Sequence, residues 1–257
     1  MKFISYNIWN TEIKYDERMV ILLEVLKAEN ADVIALQEVR DEEVVLKLKR
    51  ELGLKYHYYK KYHDCQEGLA IITRYEISDI WTNWDKSTDV HNSGVMHVKL
   101  LVGKLVLGVS NIHLDYKQAL NREIEIIKAI SNNDLHQTDY DLILGDFNTV
   151  ENSSIYRFLM GYQSLRECST QWIDLTKVYA HKHGSRLEPT LDMDTNFRWD
   201  DYHTLEVPYR FDWILLKETY PKPHPKLMNY KVIGKDRVNN ITASDHYGVL
   251  CELEFDL

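Results

Sequence analysis

Apolar and polar positions follow two different periods along the chain. Met1-Lys2-Phe3-Ile4-Ser5-Tyr6-Asn7 alternates like a strand from its first residue. Asp16 then stands where it can cap a helix that turns Met19, Leu22, Leu23 and Leu26 inward, and Val33-Ile34-Ala35-Leu36 reads as a buried strand ending at Gln37-Glu38. A second helix runs from Asp41 through Val44, Val45, Leu48 and Leu52 and closes at Gly53. Strand patterns follow over 55–62, 68–73, 77–84, 95–102 and 104–113, with Gly103 placed for a tight hairpin. A helix from Gln118 to Ile130 precedes the apolar run Leu142-Ile143-Leu144, and another begins near Ser153. From His181 to Pro208 the periodicity disappears, and strands return over 210–216, 227–233 and 247–255. So many consecutive strands without helices require antiparallel pairing, which fits two stacked sheets flanked by helices better than a doubly wound parallel sheet.

Composition narrows the picture. The 257 residues contain no Pro-rich, Gly/Ser-rich or charge-block linker, so a single domain over 1–257 is expected. Forty acidic residues against 31 basic ones give a net charge of −9, so any nucleic-acid contact has to be local. Cys65, Cys168 and Cys251 are scattered and lack metal-ligand spacing, which points away from a disulfide scaffold or structural zinc and toward a reducing compartment. The opening strand leaves no room for a secretion leader and no later run is long and apolar enough for a bilayer, so a cytoplasmic protein without stable membrane association is expected.

Chemistry concentrates where apolar runs stop. Leu142-Ile143-Leu144-Gly145 delivers Asp146 and Asn148, an acceptor beside a donor; taken alone, the segment reads equally as a strand followed by an Asx turn. Asn7 and Glu38 end the first two strands, His113 and Asp115 end the hairpin strand, and Ser244-Asp245-His246 precedes the last. Seven segments, Ser5-Tyr6-Asn7, Leu36-Gln37-Glu38-Val39, Glu67-Gly68-Leu69-Ala70-Ile71, Asn111-Ile112-His113-Leu114-Asp115, Gly145-Asp146-Phe147-Asn148, Arg210-Phe211-Asp212 and Ser244-Asp245-His246, resemble in order those of the endonuclease/exonuclease/phosphatase superfamily. The likeness is to deoxyribonuclease I and the apurinic endonucleases. It implies an α/β (α+β) four-layer αββα sandwich of two packed mixed sheets, with the site on loops at one edge.

The same resemblance implies a hydrolase that cuts a phosphodiester by in-line attack of water with Mg2+ or Mn2+. Glu38 would be the direct metal ligand, Asn7 would assist, and Asp245 would lie near the ion. Asp146 would orient or deprotonate water, Asn148 would hold a nonbridging oxygen, and His246, fixed by Asp212, would contact the scissile phosphate. Asp146 and His246 both remain candidates for the general base, with Asp146 favoured. Glu67 and His113 would form a second carboxylate–histidine pair near the leaving oxygen. Asp115 is a weaker candidate, and Arg122 would support the site by pairing with a carboxylate or simply face solvent.

Substrate choice belongs to loops. The stretch 181–209 mixes cations and flat rings, with Arg198 and Trp199 as substrate-binding candidates, though such a loop equally suits packing over a sheet edge. Tyr56 to His63 reads as an edge strand defended by lysines or as a local guide for a polyanion. Nucleic-acid ends or lesions are the first candidate substrate, a small-molecule or lipid head-group phosphodiester is the second, and a non-catalytic binding module is the alternative of another class.

Overall fold

The computed structural model describes residues 1–63, 65–84, 93–133 and 137–256. The first sheet contains β1 (Lys2–Asn7), β2 (Val33–Val39), β3 (Tyr56–Lys61), β4 (Gly68–Thr73), β11 (Lys226–Ile233) and β12 (Gly248–Glu254). The second contains β5 (Glu76–Thr82), β6 (Gly94–Val102), β7 (Leu105–His113), β8 (Tyr140–Asp146), β9 (Trp172–Asp174) and β10 (Asp212–Lys217). Their spatial orders are β11-β12-β1-β2-β4-β3 and β5-β6-β7-β8-β10-β9. Only β1–β2 and β7–β8 pair in parallel among the pairs described, so each sheet is mixed, as the run of strands without helices requires.

Alternation decides the layers. One face of each sheet meets the other through Phe3, Val33, Ile71, Val98, Leu142 and Val249. On the outer face of the first sheet, α1 (Tyr15–Glu29) and α2 (Glu42–Glu51) bury Leu22, Leu26, Val45 and Leu48 against Ile4, Ile34 and Leu250. On the outer face of the second, α3 (Ala119–Asn133) and α4 (Ser154–Leu159) bury Ile126, Ile130, Ile155 and Phe158 against Ile112, Ile143 and Trp213. This is the expected four-layer sandwich.

Polar atoms also cross the central layer. Gln37 Nε2 donates to Ser5 Oγ (3.1 Å) and to Asn111 Oδ1 (2.7 Å), while Asn111 Nδ2 donates to the Leu36 and Ala70 carbonyls. Buried amides held this way link the sheets in one register.

Four readings need correction. Lys14, in the left-handed region at φ 47°, precedes α1 and no side chain caps that helix; Asp16 lies in its first turn. Glu38 lies inside β2 rather than at its end, where the β2–β4 register slips and φ reaches +56°. The sequence pattern also missed β9 and α5 (Leu175–His183), because a three-residue strand shows no period and α5 buries little beyond Leu175 and Thr176. The expected strand over 77–84 stops at Thr82, and the following 85–92 lie outside the described residues.

Candidate active site

Register brings the site together. In the second sheet His113 of β7 stands beside Asp146 of β8, and Asp146 stands opposite Asp212 of β10. Gly145 permits this close pairing, since at φ +149° any Cβ would collide with the Ile112 carbonyl. The first sheet adds Asn7 from the end of β1 and Glu38 from the bulge in β2, and the loop before β12 adds Asp245 and His246. The link between sheets is direct, because Asn7 Nδ2 donates to both Glu38 Oε1 (2.9 Å) and Asp146 Oδ2 (3.1 Å).

Around Asp146 the geometry is that of a proton network. His246 Nδ1 lies 2.9 Å from Asp212 Oδ2, and its Nε2 lies 3.8 Å from Asp146 Oδ2. Burial opposes a charge on His246, but Asp212 and Asp146 outweigh it and lift its pKa well above the usual imidazole range. Burial also raises Asp146, opposed by the charge of His246 and reinforced by Asp212. Thr190 fixes the start of β10, its hydroxyl accepting from the Phe211 (3.0 Å) and Asp212 (3.1 Å) amides.

On the other flank lies an oxygen-rich cluster. Burial, with Glu38 adding to it against His246, pushes Asp245 up to about 6. Glu67 is pushed up to about 7 by burial and by Glu38, with His113 opposing. Carboxylates that resist ionising together are a donor set suited to a hard divalent cation, which removes their repulsion. Glu38 and Asp245 are carboxylates whose chemistry fits a hard divalent cation such as Mg2+ or Mn2+, and Asn7 lies beside Glu38 with its Oδ1 accepting from the Trp9 amide (3.0 Å). Asp146, Asp212 and His246 also place ligand-capable atoms within 4.8 Å of one another. There, however, Nδ1 is already bound to Asp212 and a protonated imidazole repels a cation.

The remaining candidates divide. His113 Nε2 lies 3.9 Å from both Glu38 Oε1 and Asp146 Oδ2, while its buried Nδ1 has no partner among the described residues. Glu67 is close enough to feel His113, but no hydrogen bond joins them among the described contacts. Asn148, in the left-handed region at φ 48°, makes the Asx turn through its amide (2.8 Å to Asp146 Oδ1), and its Nδ2 donates to the Leu114 carbonyl. Asp115 accepts from the Lys117 and Gln118 amides ahead of α3, a structural task. Arg122 donates to the Asp115 carbonyl (2.8 Å) rather than pairing with a carboxylate. Arg198 and Trp199 lie in a 3-10 turn, Phe197–Trp199, tied to the site because Asn196 Nδ2 donates to the Ser244 and Asp245 carbonyls.

Beyond Asn148 a groove of about 870 Å3 opens, bordered by Arg122, Lys177 and the stacked rings of Tyr209 and Phe211, whose centroids lie 5.1 Å apart. The sequence carried no signal for Thr190 or Asn196, since each depends on loops meeting across the fold; of this groove it offered Asn148, Arg122 and, within the stretch 181–209, Tyr209. Asn10 was also missed: its amide donates to Glu38 Oε2 (3.1 Å) and its side chain spans Arg40 and the Gln66 carbonyl.

Residues 4–246 match the Endonuclease/Exonuclease/phosphatase family. No curated protein sequence matches the chain. Among solved structures, D. rerio TDP2 complexed with a single-strand DNA product aligns at 17% identity with a TM-score of 0.79, covering 99% of each chain. An endonuclease/exonuclease/phosphatase family protein from Leptotrichia buccalis aligns at 20% identity with a TM-score of 0.72, covering 99% of this chain and 100% of that one. The corresponding protein from Bacteroides vulgatus aligns at 17% identity with a TM-score of 0.75, covering 99% and 98%. At these identities the structures speak for the fold, and the match over residues 4–246 speaks for descent: the chain belongs to the endonuclease/exonuclease/phosphatase family.

Proposed function

We propose that the protein is a divalent-metal-dependent hydrolase of phosphodiesters, acting in the cytoplasm on a nucleic-acid strand. The observation that carries the reading is the Asp146 carboxylate, buried between the amide of Asn7 (3.1 Å) and a His246 imidazole whose Nδ1 lies 2.9 Å from Asp212.

Asp146, with its raised pKa and its second oxygen steadied by the Asn148 amide, takes the proton of the attacking water. His246, charged and fixed by Asp212, donates through Nε2 to a nonbridging phosphoryl oxygen, a hydrogen bond that strengthens as negative charge develops. A charged His246 has no lone pair to act as base, which supports Asp146 in that role. Asn148 borders the groove and orients the phosphoryl group, and His113, beside Glu38 and Asp146, faces the leaving oxygen. Glu67 keeps a carboxyl near that imidazole. Glu38, Asn7 and Asp245 would hold a Mg2+ or Mn2+ ion, which when bound would supply charge neutralisation at the phosphate.

A strand substrate is supported by the groove of stacked rings on one flank, by Arg198 and Trp199 on the other, and by the similarity to a TDP2 complexed with single-strand DNA product. Three free cysteines fit a reducing compartment. The test is turnover of bis(p-nitrophenyl) phosphate and of a single-stranded oligonucleotide with Mg2+, with Mn2+ and with chelator. Asp146→Asn lowers kcat by roughly 100- to 10,000-fold on both. Full activity in that variant, or in excess chelator, overturns the reading.

A further inference from the structure

Arg198 is held in an unusual way. Its guanidinium carbon lies 5.6 Å from the Trp9 ring centroid, 5.0 Å from that of Trp199 and 5.5 Å from that of Tyr202. The other described arginines that are not exposed each have hydrogen-bond acceptors. Arg18 binds backbone carbonyls, Arg40 pairs with Glu12, Arg74 with Asp32 and Arg210 with Asp174, and Arg122 donates to the Asp115 carbonyl. Arg198, half-buried, has rings around it and neither a hydrogen bond nor an ion pair from its guanidinium among the described residues. Asp200, two residues on, is already taken by Arg237.

Rings that clasp a guanidinium leave its in-plane N–H groups as the only unsatisfied chemistry, and those donors match a phosphate. The cage also stands in a defined place. Trp9 follows Asn7 by two residues, and its amide donates to Asn7 Oδ1 (3.0 Å). Its backbone sits at φ 55°, a region that non-glycine residues enter at a cost. Asn196 ties the turn carrying Arg198 to the carbonyl of Asp245. The guanidinium is therefore on the Asn7–Asp245 flank, whereas the groove of Tyr209 and Phe211 is on the Asn148 flank.

Building on the phosphodiesterase reading, we propose that Arg198 and its aromatic cage form a subsite for a second phosphate, one flanking the scissile linkage of a single nucleic-acid strand. A strand continues on both sides of the bond that is cut, as the two flanks require, and its backbone phosphates are the groups that the free N–H edge of Arg198 matches. With a net charge of −9, the chain needs such a local cation to hold a polyanion at all.

The experiment is a coupling measurement between Arg198 and single phosphates. A fluorescent oligonucleotide is made with one uncharged methylphosphonate at each position in turn. Its binding to wild type, Arg198→Met and Arg198→Lys is followed by anisotropy in EDTA, and the linkage cut in Mg2+ fixes the register. At one position beside that linkage, the methylphosphonate weakens wild-type binding roughly 10- to 100-fold, weakens Arg198→Met less than about 3-fold, and has an intermediate effect in Arg198→Lys. Equal penalties in wild type and Arg198→Met at every position overturn the subsite. So does a wild type that binds a phosphorylated head group and not the oligonucleotide. Coupling in EDTA without turnover on any phosphodiester in Mg2+ would leave the subsite standing and remove only the catalytic reading.

Discussion

At the scale of single residues, the proposed mechanism makes the pair formed by Asp146 and His246 the source of the pH dependence of activity. In the proposed mechanism, catalysis needs Asp146 ionised and His246 protonated. Asp146 is raised above the ordinary carboxylate range by burial, so activity rises with pH through a limb displaced upward from that range. Activity falls again as His246 loses its proton, and because Asp212 and Asp146 hold that proton, the fall comes well above the usual imidazole value. Asp212→Asn removes the first of the three carboxylates, Asp212, Asp146 and Asp245, that hold the proton. The alkaline limb of the kcat/KM profile then moves down toward the ordinary imidazole range, with kcat lowered by about 100-fold as His246 loses its anchor. An alkaline limb that stays in place assigns it to some group other than His246. The types and order of these residues were legible in the sequence because each interrupts an apolar run. Their backbone conformations were not. Glu38 and Asn148 both sit at positive φ, which nothing in their local sequence announces and which the packing around them imposes.

At the scale of elements, the loop after β1 is held by Arg18 of α1. This buried side chain donates to the carbonyls of Ile8, Trp9, Thr11 and Ile13, and to that of Ala243 two residues before Asp245. It therefore joins the two segments that carry Asn7 and Asp245. Arg18→Ala leaves five carbonyls without their charged donor, a loss of about 3 kcal/mol or more. The melting temperature should fall by roughly 6–12 °C in a scanning calorimeter; a fall of less than about 2 °C would mean that water replaces the guanidinium at little cost. A second element-level device is Glu125 of α3, which accepts from Ser93 Oγ (2.6 Å) and the Asp115 amide (3.0 Å) and is pushed up to about 7 by burial. Because its folded pKa exceeds its unfolded one, it favours folding in the protonated form and loses stability as pH rises from about 4.5 toward 7, by roughly 3 kcal/mol. Glu125→Gln removes that loss, since the amide oxygen keeps the Asp115 bond and the Ser93 hydroxyl turns to accept. Its melting temperature should exceed that of wild type at about pH 8 and equal it near pH 4.5; the same difference at both pH values would refute the assignment. Neither Arg18 nor Glu125 was singled out by sequence, because a helix residue reads as solvated until the tertiary fold shows what its side chain meets. The elements themselves were largely legible wherever burial was one-sided. Where it was not, as in α5 and the stretch after His181, the pattern carried no period to read.

At the scale of the molecule, the two sheets hold their carboxylates against one another. Glu38 comes from the first sheet, Asp146 and Asp212 from the second, and Asp245 from the loop that enters β12. The sequence made this convergence legible only through the order of its segments, whereas the contact from Asn7 to Asp146 belongs to the packing of one sheet on the other. Without a cation the arrangement opposes folding above mildly acidic pH. Asp245, raised to about 6, and Glu67, raised to about 7, stay ionised in the unfolded chain at pH values where the fold resists their charge. Each therefore costs stability as pH rises from its unfolded value to its folded one, by roughly 3 kcal/mol if taken alone. They share Glu38 as a source of repulsion, so the two costs do not add in full. On the proposed reading, Mg2+ among these oxygens would both bind the folded state and relieve the repulsion. The rise in melting temperature on adding Mg2+ should consequently be larger at about pH 8 than near pH 5, where protons already occupy the cluster. At a hundredfold excess over the dissociation constant, binding contributes about 2.7 kcal/mol, which for a chain of this size raises the melting temperature by roughly 5–11 °C. Glu38→Gln removes the common repulsive charge, so that variant should be more stable than wild type without metal at about pH 8 and gain little from Mg2+. A Mg2+ shift that is the same at both pH values and persists in Glu38→Gln would place the cation elsewhere in the fold.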